Sequence, residues 1–243
     1  SLLGIEMKDL RSAPVGYIDI WEMYPLDLEE FFGAVGVSDT VMDHIKESWN
    51  GMKPVDEVVH AKLMSIVRLY LIVGGMPAVV EKYLETNNLQ SVMEVQKAIL
   101  RLYEVDIAKY DPNRKLYIRE IFNLIPPELN AKNKRFILKN LNEKIKFSRY
   151  ENSFIWLKDA GVALPTFSVE APTSPLALAR SRNLFKLFQS DVGLLAATYA
   201  DGIQLRILDD DPDINFGAIY ENLVAQELHS HGFDLYYFNS KKQ

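Results

Sequence analysis

Apolar residues recur every three or four positions through much of the chain, which predicts a mainly helical protein. The clearest pattern covers Val58 to Val73, and a longer one covers Leu89 to Tyr110. Two shorter helices are predicted ahead of these, one capped by Asp27 and the next by Ser38 or Asp39. The first half of the chain is therefore expected to be a series of helices.

The segment Gly74-Gly75-Met76-Pro77 interrupts this helical pattern. Pro77 suits the first turn of the next helix, where its missing N–H is not needed, and that helix is expected to end near Glu85. Glycine also lets a backbone come close to another group. The segment is either a break between two helices or a place where the backbone approaches a ligand.

The middle of the chain predicts three helices followed by a strand. The helices are expected over Arg114 to Leu124, Lys134 to Leu141 and Phe147 to Asp159, with Pro126-Pro127 closing the first. The strand covers Val162 to Val169, and Pro165 predicts that it lies at a sheet edge. Three helices followed by a β segment are similar to a winged helix.

Shorter elements are predicted in the last third of the chain. They are a linker over Pro172 to Pro175, a strand over Asn183 to Phe188, a helix over Asp191 to Tyr199, an acidic loop over Asp209 to Asp213 and an amphipathic helix that carries Glu221. In that last helix Leu223, Val224 and Leu228 are expected to face the core. One early strand is predicted as well, over Val15 to Tyr24.

An apolar strand is predicted at the C-terminus, over Leu235 to Phe238, after a turn at Gly232. The backbone groups of a strand need a hydrogen-bonding neighbour, and the pattern does not indicate which segment would supply it. We therefore expect the neighbour to lie outside this sequence. On this interpretation the chain is a fragment of a longer protein.

Composition excludes several classes of protein. The 243 residues include no cysteine, which excludes disulfides and thiolate metal sites and is typical of the cytoplasm. The apolar runs are too short for a membrane span, and the N-terminus lacks the features of a signal peptide. We expect a cytoplasmic protein that does not contact a membrane.

The net charge is −6, but positive charge is concentrated between Ala131 and Arg149. Seven basic residues in this window oppose Glu143 alone. They are Lys132, Lys134, Arg135, Lys139, Lys144, Lys146 and Arg149. The cluster is either a solvated helix face or a site for an acidic partner such as DNA.

Familiar catalytic and metal-binding motifs are absent from the sequence. There is no GxxxxGK[ST] phosphate-binding loop and no HExxH zinc motif. His229 and His231 are two positions apart on a predicted helix and make a poor metal pair. Asp209, Asp211 and Asp213 imitate the start of a calcium loop that lacks its glycine, so a solvated acidic loop is favoured. No metal site is predicted.

Several strings together resemble the C-terminal part of a prokaryotic family of AAA-type ATPases that end in domain of unknown function 4143. They are SLLG, YPLDLEEFF, YLIVGGMPAVV, VQKAILRLYEVDIAKY, IFNLIPPELN, WLKDAGVAL, NLFKLFQSDVGLLAA, GAIYENLVAQEL and LYYFNSKKQ. In that family the phosphate-binding lysine and acidic residues precede SLLG. The resemblance implies ATP and Mg²⁺ as cofactors of an intact protein, with Gly75 and Pro77 against the adenine. For this chain alone it implies none.

The same resemblance implies that the C-terminal part begins a restriction-endonuclease-like domain. Such nucleases hold a divalent metal with several acids and a lysine. Glu221 matches the first acid, and the remaining ligands have no counterpart here. Whether the chain is an enzyme is therefore left open, since the ATPase motifs and a complete nuclease site are both missing.

The resulting hypothesis is a mainly α protein with small β elements, of the α+β class. Its expected parts are an ATPase-core remnant over 1–30, a helical lid over 31–112, a winged-helix-like domain over 113–172 and the start of a nuclease-like α/β domain over 173–243. The expected function is that of an ATPase fragment whose winged helix binds DNA. The alternative is a module that binds a protein, or a second copy of itself through the C-terminal strand edge.

Overall fold

A computed structural model describes residues 21–110, 115–132, 134–137, 141, 150–199, 202–214 and 216–239. Its helices are α1 (Leu28–Ala34), α2 (Asp39–Asn50), α3 (Glu57–Val73), α4 (Pro77–Thr86), α5 (Leu89–Tyr110), α6 (Lys115–Asn130), α7 (Glu151–Asp159), α8 (Val192–Ala197), α9 (Ile203–Leu208) and α10 (Phe216–Ser230). Its strands are β1 (Ala163–Val169), β2 (Arg180–Gln189) and β3 (Tyr236–Phe238), and a 3₁₀ turn covers Leu176–Ala179. The α+β class is thus confirmed.

The chain forms two compact units, each assembled from separate stretches of sequence. One, here called the helical unit, comprises Tyr24–Ala98 and Asp191–Leu223. The other, the mixed unit, comprises Ser1–Met23, Ile99–Ser190 and Val224–Gln243, and it contains the described sheet. The four consecutive domains expected from sequence differ from this division, in which distant segments join the same unit.

Local capping chemistry explains why the helical unit begins as predicted. The Asp27 side chain accepts a hydrogen bond from the Glu30 N–H at 2.8 Å, and the Glu30 carboxylate accepts one from the Asp27 N–H at 3.0 Å. This reciprocal capping box satisfies donors that the first turn leaves open. Phe31 and Phe32, which follow directly, are buried. The predicted start of α1 is confirmed.

Helix α6 runs longer than predicted, since Pro126 and Pro127 lie inside it. The carbonyls of these prolines remain good acceptors even though their nitrogens cannot donate. The Asn130 side-chain amide donates to the Pro126 carbonyl at 3.0 Å, and the Ala131 N–H donates to the Pro127 carbonyl at 3.1 Å. The prolines therefore begin one further turn instead of ending the helix.

The helix predicted over Lys134 to Leu141 is wrong over the described residues 134–137, which form no helix. The Phe136 N–H donates to the Phe185 carbonyl of β2 at 3.0 Å, and the Ile137 N–H donates to the Glu128 carboxylate at 3.1 Å. These tertiary hydrogen bonds replace the helical ones. Residues 134–137, which were expected to begin the second helix of a winged helix, are therefore not helical.

The three described strands form one sheet in the order β2-β1-β3. Strand β1 pairs antiparallel with β2, and it pairs in parallel with β3 from Phe167 onward. The prediction that Pro165 marks an edge strand is therefore wrong for β1 as a whole. Pro165 nevertheless lies in the part of β1 that β3 does not reach, where a missing N–H is tolerated.

The expectation that the C-terminal strand lacks a neighbour is also wrong. Tyr236, Tyr237 and Phe238 pair in register with Phe167, Ser168 and Val169 of β1. Its partner β1 lies more than 60 residues earlier in the sequence, and local sequence patterns carry no information about so distant a parallel strand. This distance explains the error. Pairing of a second copy with the other edge of β3 stays a prediction.

None of the described helices is by itself long and apolar enough to cross a membrane. Helices α3 and α4 would be long and apolar enough only if they were taken together, and the angle between them is 119°.

Candidate functional site

The segment between α3 and α4, which begins with Gly74 and Gly75, packs against the buried carboxylate of Asp191. Gly74 ends α3 with a φ of +73°, a conformation that favours glycine. The Gly75 N–H donates to the Asp191 carboxylate at 2.7 Å, and the Gly75 carbonyl accepts from the Leu26 N–H at 2.7 Å. The Tyr70 hydroxyl donates to the Leu26 carbonyl. Gly75 therefore links three segments of the helical unit, since it bonds to Asp191 on one side and to Leu26 on the other.

Asp191 also caps helix α8. Its carboxylate accepts the Leu194 N–H at 2.9 Å, as expected of an N-cap residue. Burial raises the pKa of Asp191 to about 6, while backbone N–H donors, foremost that of Gly75, oppose the rise. The side chain is fully buried, so we interpret Asp191 as a structural tie and not as a group that reacts with substrates.

The space beside the two glycines is filled by this chain itself. A side-chain carbon on Gly75 would overlap the backbone of Leu26, and one on Gly74 would overlap the Asp191 carboxylate. Pro77 is the exposed first residue of α4, as predicted. The structure confirms the break between two helices, and the glycine backbone closely approaches Leu26 and Asp191.

The carboxylates considered as metal ligands do not converge. Among the described residues no group of three or more His, Cys, Asp or Glu side chains could hold a metal ion. Glu221 lies half-buried on α10. In the acidic loop, Asp211 accepts from Arg206 at 2.7 Å and Asp210 pairs with Arg68 at 3.3 Å. The loop is thus held by arginines, and the hydrogen bond from Arg206 lowers the pKa of Asp211.

Three of the seven predicted DNA-contacting residues are described. Lys132 is exposed, while Lys134 and Arg135 are half-buried next to the end of α6. Lys139, Lys144, Lys146 and Arg149 lie outside the described residues. A common basic surface of the seven residues therefore stays a prediction.

The mixed unit contains a groove of about 610 Å³ between one face of α7 and the β1–β2 connection. Its lining residues come from α7, β1, the 3₁₀ turn and β2. They are Glu151, Phe154, Ile155, Lys158, Asp159, Pro165, Phe167, Ala177, Arg180 and Phe185. The α7 members are spaced as one helix face, since positions three and four apart lie above one another. The volume is in the range of ligand-binding clefts.

Aromatic rings form the floor of this groove. The ring of Phe185 lies edge to face with that of Phe154, with centroids 4.8 Å apart, and its centroid is 5.7 Å from that of Phe167. The ring of Phe136 stacks on Phe185 at 5.8 Å. Aromatic pairs at these distances stabilise each other's positions beyond the area that they bury. The floor is thus a packed cluster. Phe154 and Phe185 are almost fully buried within it, so the accessible apolar surface of the groove comes mainly from Phe167 and Ile155.

Charged and exposed apolar side chains surround the floor. The Arg180 guanidinium lies 3.6 Å above the ring of Phe167. Ile155 lines the groove with 46% of its surface exposed, and Leu178, next to Ala177, is 85% exposed. Ile155 therefore adds exposed apolar surface to a groove that also carries charged side chains.

Glu151 and Asp159 are the first and last residues of α7 and both line the groove. Glu151 and Asp159 are eight residues apart on α7, which corresponds to about 12 Å along the axis. Paired acids that act on one glycosidic bond lie roughly 5 to 9.5 Å apart. The arrangement is better suited to holding an apolar group flanked by charges.

This groove was not predicted from the sequence. One sequence feature could have indicated it: one face of the predicted helix mixes apolar and charged residues. These residues are Glu151, Phe154, Ile155 and Lys158. Nothing in the local pattern connects that face with Phe167 or Phe185, which only the sheet brings beside it.

Comparison with known proteins corrects the expected family. No curated protein and no solved structure matches the chain. One family model, described as a domain of unknown function (DUF8612), matches residues 64–205, and no match to AAA-type ATPases or to domain 4143 accompanies it. The resemblance to that ATPase family is therefore wrong, and the nucleotide contacts of Gly75 and Pro77 and the nuclease role of Glu221 lose their support. Because the matched segment is more than half of the 243 residues, the chain belongs to the DUF8612 family.

Proposed function

We propose that this protein is a protein-interaction module whose mixed unit binds an apolar segment of a partner protein in the groove beside α7. The observation that carries this proposal is the aromatic floor of Phe154, Phe167 and Phe185 next to exposed Ile155. Binding would remove the exposed parts of Ile155 and Phe167 from water, which stabilises a complex by roughly 25 cal/mol per Å² of apolar surface.

The charges of the groove favour a peptide over a nucleic acid. Lys158 and Arg180 supply two positive charges, and Glu151 and Asp159 supply two negative ones. A polyphosphate backbone would be repelled by the two carboxylates, whereas a peptide can carry both signs of charge.

The test is selection of binders from a displayed library of random peptides, followed by affinity measurement with the full chain. Ile155→Asp is expected to weaken binding of the selected peptides by about tenfold or more, because it places a charge against the apolar ligand. Leu116→Asp is the matched control, since Leu116 is an exposed leucine of α6 outside the groove. Peptide binding that Ile155→Asp leaves unchanged would rule out the groove as the binding site.

DNA binding by the basic cluster is a second candidate function. It is favoured by seven basic residues against one acidic residue between Ala131 and Arg149. Affinity should then fall steeply with salt and fall further when Lys132 and Lys134 are replaced by Glu. A duplex titration at low salt that shows no binding would remove this candidate.

A further inference from the structure

We infer that the groove recognises an acidic side chain next to a bulky apolar residue, and that Arg180 is the residue that binds the acidic carboxylate. This inference rests on the proposed function, and it names the class of partner segment that the groove would select. The apolar residue would lie against Ile155 beside the aromatic floor, and the Asp or Glu next to it would face Arg180.

The position of Arg180 is defined by the sheet. Arg180 begins β2 and pairs with Val169 of β1, two residues beyond Phe167. Its guanidinium carbon is 3.6 Å from the centroid of the Phe167 ring. Stacking on an aromatic face restrains a guanidinium while leaving the N–H groups at its edge able to donate. The side chain is therefore partly ordered before a ligand arrives.

The donors of Arg180 are not used in an ion pair within the described part of the chain. The ion pairs between described side chains join Lys46 with Glu29, Arg68 with Asp210, Lys82 with Glu85 and Arg206 with Asp211. Arg180 is exposed and lines the groove. A planar guanidinium with accessible N–H groups matches a carboxylate through two parallel hydrogen bonds.

The contact between Arg180 and Phe167 also determines the spacing within the ligand. Since the guanidinium lies on a ring that forms part of the floor, a carboxylate bound there must be close to the apolar group beside that floor. One residue of an extended chain spans about 3.3 Å, so the acidic residue should lie within one or two positions of the apolar one. Glu151 and Asp159 disfavour ligands that carry many negative charges.

The experiment compares peptides selected by the full chain with those selected by Arg180→Gln. The native protein should enrich peptides with Asp or Glu within two positions of a bulky apolar residue, and the variant should not. For a selected peptide, Arg180→Gln should weaken binding by about tenfold, because a hydrogen-bonded charge pair is lost. It should change binding of the peptide with Gln in place of the acid by less than about twofold. Arg119→Gln, at an exposed arginine of α6, is the control.

The outcomes separate this inference from the proposed function. Peptides that bind in an Ile155-dependent manner without an acidic preference would overturn the role of Arg180 and leave the groove as a binding site. Failure of Ile155→Asp to affect any selected peptide would overturn both. Tighter binding of a single-stranded oligonucleotide than of any peptide, lost in Phe167→Ala, would identify a nucleic-acid groove and overturn both as well.

Discussion

At the scale of single residues, the helical unit depends on one buried carboxylate. Asp191 accepts the N–H groups of Gly75 and Leu194, which belong to segments more than 100 residues apart. A buried donor that loses its acceptor costs about 1 to 3 kcal/mol. Asp191 therefore stabilises the tertiary arrangement as well as the first turn of α8.

The raised pKa of Asp191 predicts a pH-dependent stability. Because the folded pKa of about 6 exceeds the ordinary aspartate pKa of 3.8, the folded state binds more protons between these values. The contribution of this group to stability is then complete below pH 4 and declines as the pH rises to about 6, by up to about 3 kcal/mol. Urea unfolding from pH 4 to pH 7 should show that the stability of the native chain relative to Asp191→Asn falls over this window. A constant difference would contradict the prediction.

Gly75 should not tolerate a side chain. The added methyl group of Gly75→Ala would overlap the Leu26 backbone, which cannot move aside as the end of a flexible side chain can. We expect a loss of about 3 kcal/mol or more in the free energy of unfolding. Gly33→Ala is the control, since Gly33 lies in α1 with open space around it and should be neutral or slightly stabilised. Equal stability of the two variants in urea would contradict this account.

At the scale of elements, strand β2 belongs to the sheet and also contributes side chains to the lining of the groove. Phe185 is almost fully buried, and its ring contacts Phe136, Phe154 and Phe167, which come from three other segments. The described segment around Phe136 is not helical, because the Phe136 N–H bonds to β2 and this overrides the helical preference of the local sequence.

Phe185→Ala should therefore destabilise the mixed unit and reduce peptide binding. Removing a buried phenylalanine ring costs about 3 to 5 kcal/mol, since it leaves a cavity among the other rings. Leu184→Ala, at the neighbouring exposed position, should cost less than about 1 kcal/mol. Thermal unfolding measured by circular dichroism compares the two. A loss from Leu184→Ala as large as that from Phe185→Ala would show that the ring cluster is not the core of the groove.

At the scale of the whole molecule, burial is unevenly distributed among the described helices. Four successive residues at the end of α3, Tyr70 to Val73, are completely buried, and α8 packs against this helix. Helix α2, by contrast, buries only Ser48. Local stability follows the burial of apolar contacts, so the two helices should differ strongly in their opening.

Native-state hydrogen exchange should detect this difference. Amides of Tyr70 to Val73 are expected to exchange in the slowest class and those of α2 in the fastest helical class, with opening free energies that differ by several kcal/mol (about 3 or more). Mass spectrometry of peptic fragments would measure both helices in one sample. Equal protection of α2 and the end of α3 would contradict the described packing.

Several helix boundaries follow from local sequence, because caps and breakers act through local hydrogen bonds. Asp27, Gly74, Pro77 and Asp191 begin or end helices where their chemistry predicts. The tertiary structure alone decided that Asp191 meets Gly75, that three phenylalanine rings meet in one groove and that β3 pairs with β1. Each of these contacts joins residues far apart in sequence, and periodicity carries no information about such partners. Their pairing depends on the burial of whole faces, which only the folded chain specifies.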